Sequence, residues 1–109
     1  MIIATSSSVA GKRIIKTIGV VRGNTIRVRH AGKDILAVFK ALVGGEIQEY
    51  TKLMAESRDQ AIDRMVSDAR ILGANAVLDV RFSTSFIMQS AAEILVYGTA
   101  VVLEDAPKG

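Results

Sequence analysis

Residues 91–103 read AAEILVYGTAVVL, and a strand built from them has no side suited to water. Successive strand residues point to opposite sides of a sheet, so a strand with one buried face alternates apolar and polar side chains. Here Ala92, Ile94, Val96, Ala100 and Val102 line one side while Leu95, Tyr97, Val101 and Leu103 line the other. Both sides ask for cover. A layer of helices hides one face of a sheet, and the other face is left to water or to a second subunit.

Size sharpens the question. A chain of 109 residues is one domain with a single core. Compactly folded, it has a radius of gyration of about 13 Å, or a diameter of roughly 34 Å as a uniform sphere. A continuous 13-residue strand is about 43 Å long and a 27-residue helix about 40 Å. Each outward apolar side chain left wet forfeits about 1.5 to 3 kcal/mol of burial. Half the residues are hydrophobic and the mean hydropathy is +0.32, a surplus that points the same way. The expectation is an obligate homo-oligomer.

The remaining elements follow from periodicity and punctuation. Residues 13–22, RIIKTIGVVR, and 25–29, TIRVR, are rich in β-branched side chains and flank Gly23-Asn24, which predicts a hairpin. A short strand at Ile2-Ile3-Ala4 precedes it. From Asp34 to Val43, Ile35, Val38, Phe39 and Leu42 fall at helical spacing behind Asp34 as N-cap, and Gly44-Gly45 ends that helix. A second, longer helix spans Glu46 to Leu72, with Ile47, Tyr50, Leu53 or Met54, Ala61, Met65, Ala69 and Leu72 as its apolar stripe and Gly73 as its stop. Ala76 to Phe82 alternates as a strand with Ala76, Leu78, Val80 and Phe82 inward, Ser83 to Ser90 reads as a loop or hairpin end, and the last strand follows. The fold class is therefore α+β, two layers, an antiparallel sheet packed by two helices. Residues 1–104 form one domain and 105–109 a frayed tail.

Composition excludes several chemistries. With no cysteine there are no disulfides, thiolate metal sites or cysteine nucleophiles. No uncharged stretch exceeds the 11 residues of Phe82 to Ala92, short of the roughly 20 that a bilayer requires. Met1-Ile2-Ile3 runs into Thr5-Ser6-Ser7-Ser8 with no basic n-region, so the expected location is cytoplasmic. Gly11-Lys12 fails as a phosphate loop, since Ser6 stands where the first glycine belongs and Arg13 where a magnesium-binding hydroxyl belongs. The only histidine, His30, sits between a strand and a helix as a turn residue, and nothing supplies a nucleophile with its base. The chain is read as non-enzymatic.

Two weaker binding readings stand beside the oligomer. His30 with Asp34, and Glu46 with Glu49, are the only local ligand clusters. Each offers two donors where zinc takes three or four, so a divalent metal would need subunit junctions or a ring axis to complete its shell; a metal or small ligand held there is the alternative reading, and no cofactor is expected. Glu46 and Glu49 otherwise favour the start of the long helix through its macrodipole. The charge is uneven as well: residues 1–40 carry +7 and the remainder −4. Arg22, Arg27 and Arg29 form a candidate nucleic-acid footprint, disfavoured because no aromatic interleaves them in the sequence to stack on bases.

Four stretches taken together, Gly19-Val20-Val21-Arg22-Gly23, Val43-Gly44-Gly45 followed by Tyr50, Leu72-Gly73-Ala74-Asn75-Ala76-Val77, and Gly98-Thr99-Ala100-Val101, resemble in order and spacing the YbjQ-like family of small proteins described as heavy-metal-binding domains. The likeness runs from about Ile2 to Glu104. It implies a dodecin-like subunit assembled as a homopentameric ring. The metal label transfers poorly to a chain with no cysteine and one histidine. The subunit interface is expected to draw on Leu95, Tyr97, Val101 and Leu103, with Phe86, Ile87 and Met88 at its rim.

Overall fold

A computed structural model of the chain describes residues 1–28, 46–88 and 91–107. The elements are β1 (Ile2–Ile3), β2 (Lys12–Val28), α1 (Glu46–Ile71), β3 (Ala76–Met88) and β4 (Ala91–Asp105). The helix expected over residues 34–43 lies outside the described residues, so one helix is described. The class is α+β, as expected, but the four-stranded sheet, ordered β1-β3-β4-β2, is mixed rather than antiparallel. β1 runs parallel to β3, with Ile2 opposite Ala76 and Ile3 opposite Val77.

The expected hairpin at Gly23-Asn24 is absent. β2 is one strand of 17 residues, antiparallel to β4 from Lys12 opposite Asp105 to Val28 opposite Ala91. The glycine marks a crossing, not a turn. A Cβ built on Gly23 would collide with the carbonyl oxygen of Ala61 and stand 2.6 Å from the amide nitrogen of Met65, so the helix backbone rests directly on the strand there. Thr25 beside it is buried, its Oγ1 donating to the carbonyl of Ser57 at 3.1 Å, while Ser57 Oγ donates to the carbonyl of Leu53 at 2.9 Å. Ser57 thereby joins the buried stripe of α1 with Ala61, Met65 and Ala69.

Gly73 ends α1 as expected. Its φ is 87°, its amide donates to Arg70 O at 3.0 Å, and the Ala74 amide donates to Ala69 O at 3.0 Å. This is the paired bonding of a Schellman cap. Leu72, outside the helix, is exposed rather than part of the stripe.

β3 departs from simple alternation. Asp79 has a φ of 54°, and between Leu78 opposite Thr99 and Arg81 opposite Tyr97 the strand carries one residue more than its partner. This bulge faces Gly98, where a Cβ would lie 2.6 Å from Val77 Cγ1 and 2.9 Å from Leu78 O. The bulge resets the faces: Val77 and Val80 enter the helix-side core with Val21, Ile94, Val96 and Ala100, while Ala76 and Leu78 enter a second cluster on the opposite face. Residues 83–88 continue the strand instead of forming a loop. Their serines and threonine are tolerated because this end of β3 is exposed.

The second cluster answers part of the cover problem. Val101 and Leu103 are only 1% and 6% exposed, packed with Ala76, Leu78, Ala4 and Val9. Residues 4–11 form a strap across this half of the face. It is held by Ala4 N to Val77 O at 3.0 Å, Val80 N to Ala4 O at 3.1 Å and Asp79 N to Ser6 O at 3.0 Å, and by Ser7 Oγ to Asp79 Oδ1 at 2.8 Å. Asn75, just before β3, ties β4 at the same end: its Nδ2 donates to Leu103 O at 2.8 Å and its Oδ1 accepts from Leu103 N at 2.7 Å. At the far end, Lys12 pairs with Asp105 and Arg13 with Glu104, so β4 and its pairing extend one residue into the expected tail.

Even so, the chain is long. Its extents are 61 × 24 × 16 Å with a radius of gyration of 18.1 Å, against the roughly 13 Å of a compact chain of this length. The accessible surface is 7427 Å², where a compact monomer of this mass has about 5,900 Å².

Candidate functional site

Below the strap the second face lies open, and the strand register defines what it presents. Tyr97 of β4 stands opposite Arg22 of β2 on one side and opposite Arg81 of β3 on the other. Antiparallel neighbours directly opposite each other share a face, so Arg22, Tyr97 and Arg81 form one row across it. Tyr97 is 41% exposed, and both arginines are exposed. Arg81 is oriented by the strap: its Nη1 donates to Thr5 O and to Val80 O, each at 2.9 Å. The next row along is Asn24, Leu95 and Ser83, and the one after it Ile26, Glu93 and Ser85.

The expected interface residues therefore divide. Val101 and Leu103 are enclosed by the chain's own strap, because β1 and residues 4–11 supply the cover that the sequence reading assigned to a second subunit. Leu95 is half-buried and Tyr97 open on the same face. Phe86 and Ile87 sit exposed on β3, at the outer side of the sheet, and Met88 ends that strand.

The basic candidates do not converge. β2 pairs without a bulge from Gly19 to Val28, so Arg22 and Arg27, five residues apart, occupy register positions of opposite parity: Arg22 opposite Tyr97, Arg27 opposite Ala92. Arg29 lies outside the described residues. The aromatic missing from the linear reading is supplied across the sheet, since Tyr97 adjoins Arg22 only once β2 and β4 are paired. That juxtaposition carries no local sequence signal.

The candidate metal ligands are placed as follows. Glu46 and Glu49 occupy the first turn of α1, three residues apart, and His30 lies outside the described residues. No group of three or more histidine, cysteine, aspartate or glutamate side chains gathers among the described residues. Among the described residues one carboxylate is perturbed: the hydrogen bond and charge of Lys12 hold Asp105 below its ordinary range. It is an exposed strand-end pair.

A family model described as "Putative heavy-metal-binding" matches residues 1–104. The chain belongs to the YbjQ family. Among its YbjQ relatives, a UPF0145 protein of Dehalococcoides mccartyi is 54% identical over 104 residues, covering 95% of this chain and all of that one. A UPF0145 protein of Methanosarcina acetivorans is 56% identical over 101 residues, covering 93% and 95% of the two chains. The crystal structure of a protein of unknown function from Pediococcus pentosaceus, assigned to the DUF74 family, superimposes with a TM-score of 0.68 over 95% of this chain and 98% of that one, at 17% identity. That likeness shows a shared fold. The heavy-metal description of the YbjQ model finds no matching donor set among the described residues of this chain: thiolates are absent from the sequence, and carboxylates do not cluster. No helix among the described residues is long and apolar enough to cross a membrane.

Proposed function

We propose that the chain is a non-enzymatic subunit of a closed homo-oligomeric ring whose role lies in its assembled surface or central opening. Five copies is the number that resemblance to the family implies. The observation that carries this reading is a pair of unlike apolar margins on opposite sides of one elongated sheet. β2 is an outer strand, paired on one side by β4, and along it Ile15, Val20 and Ile26 are exposed, Val20 at 76%. β3 pairs with β1 for two residues and with the strap as far as Val80. Beyond that point Phe82, Phe86 and Ile87 are exposed, Phe86 at 75%.

Unpaired strand margins with apolar side chains invite pairing with another chain. Two different margins meeting head to tail make a heterologous contact, which closes into a ring when the rotation per subunit allows it. The interface in this reading shifts from the strap-covered half of β4 to the outer end of β3 in one copy against β2 of the next, with Phe86 on the helix side of the junction and Val20 and Ile26 on its other side. Leu95 and Tyr97 then lie on the exposed face of the ring.

Complementation tests it. Phe86→Asp and Val20→Asp each destroy one margin, so each variant alone should sediment as a monomer. Mixed, they retain one intact junction between them and should form a one-to-one heterodimer. Two monomers that ignore each other, or single variants that still assemble, would reject the head-to-tail contact.

A further inference from the structure

We infer that the Arg22–Tyr97–Arg81 row is a binding site for a single nucleotide, with the base stacked on the Tyr97 ring and the phosphate held between the two arginines. The inference goes beyond the ring reading and holds for one subunit by itself. Neighbouring strands are about 4.8 Å apart, so the two arginine Cα atoms are separated by roughly 10 Å with the phenol between them. Neither arginine has an acidic partner among the described residues, whose ion pairs are Lys12–Asp105 and Arg13–Glu104. Two like charges across one aromatic ring repel, and a phosphate between them turns that repulsion into two charge-assisted contacts.

One of the arginines is already positioned. Nη1 of Arg81 is committed to the carbonyls of Thr5 and Val80, which leaves Nε and Nη2 of that guanidinium to meet an anion without first ordering the side chain. The planar partner is argued from Tyr97. An exposed aromatic on a sheet, interleaved with arginines, is the platform on which bases stack whatever their identity.

The acidic neighbour sets the size. Glu93 lies on the same face four residues from Tyr97, about 13 Å along the strand, and it would repel the phosphate of a second nucleotide laid in that direction. Toward the other end the strap closes the face. The open basic surface therefore suits one nucleotide rather than a continuous strand.

Calorimetric titration of the intact protein at low salt with AMP, with inorganic phosphate and with a short oligo(dT) tests the site. AMP should bind more tightly than phosphate. Tyr97→Leu should weaken AMP about tenfold while leaving phosphate unchanged, and Tyr97→Phe should retain AMP binding, since the ring and not the hydroxyl is the platform. Arg22→Gln should weaken AMP and phosphate alike. Overturning results are no AMP binding at millimolar concentration, AMP binding that Tyr97→Leu and Arg22→Gln leave unchanged, or binding of oligo(dT) without AMP, which would mark a nucleic-acid surface in place of a mononucleotide site.

Discussion

Gly23 of β2 lies against the backbone of Ala61 in α1, so closely that no side chain fits between them. The helix is seated on the sheet at this contact, and the carbonyl of Asn24 beside it accepts a hydrogen bond from Arg64. A methyl group at position 23 must push the helix off the strand or bend the strand itself. Gly23→Ala is expected to cost about 3 kcal/mol, the upper end for overpacking, because the backbone it meets has no rotamer by which to escape. Gly73→Ala, where nothing obstructs a Cβ but φ is 87°, should cost only about 1 to 2 kcal/mol. Urea melts of the two variants check the ordering.

Asn75 holds the strap end of the sheet through both of its amide atoms. Asn75→Ala leaves the amide and carbonyl of Leu103 without these partners in a part-buried setting and should cost about 2 to 3 kcal/mol. Hydrogen exchange at Leu103 should accelerate in that variant. Protection unchanged from the wild type would show that the two bonds do not hold β4 in place.

Glycines and buried stripes were legible in the sequence where their reasons are local. Gly73 as a helix stop and the stripe through Ala61, Met65 and Ala69 both follow from neighbours a few residues away. Gly23-Asn24 misled because the same two residues that make a tight turn also permit a helix to cross, and only the packing of α1, more than 30 residues distant, decides between them. Residues 83–88 read as a loop because their polar side chains hide a strand whose outer end is exposed. The strap escaped for a similar reason: Ala4 and Val9 lie in a small, polar segment, and their contact with Leu78, Val101 and Leu103 depends on β1 pairing with β3. Of the functional candidates, Arg22 was visible alone, whereas its partners Tyr97 and Arg81 are set beside it by sheet register.

Removing the strap should uncover what it hides. Deletion of residues 1–9 exposes Leu78, Val101 and Leu103, and the shortened chain should bind an apolar dye such as ANS that the full chain does not. Val9→Asp, which leaves β1 in place, should raise dye binding to a smaller extent. A truncated chain with no dye binding and unchanged stability would show that the second cluster does not need this cover.

Asp105 provides a pH signature. Its hydrogen bond and charge interaction with Lys12 lower its pKa below 3.8 in the folded chain. A carboxylate depressed on folding stabilises the folded state above the ordinary value, and that contribution fades as pH falls through the folded pKa. The pair is exposed, so the effect is small and screened by salt. Asp105→Asn should flatten the acid limb of thermal stability slightly, and carboxyl NMR should show the Asp105 midpoint rising when Lys12→Met removes the cation beside it. A midpoint unmoved by that substitution would contradict the pairing.

In the ring proposed above, a chain 61 Å long, with unlike apolar margins on β2 and β3, completes its burial with copies of itself. Sedimentation equilibrium of the unmodified protein at micromolar concentration tests it most directly. The account predicts a single species of several times the 11.7 kDa chain mass, undiminished on dilution, with a mass of five chains matching the family resemblance. A folded species at the mass of one chain would contradict it.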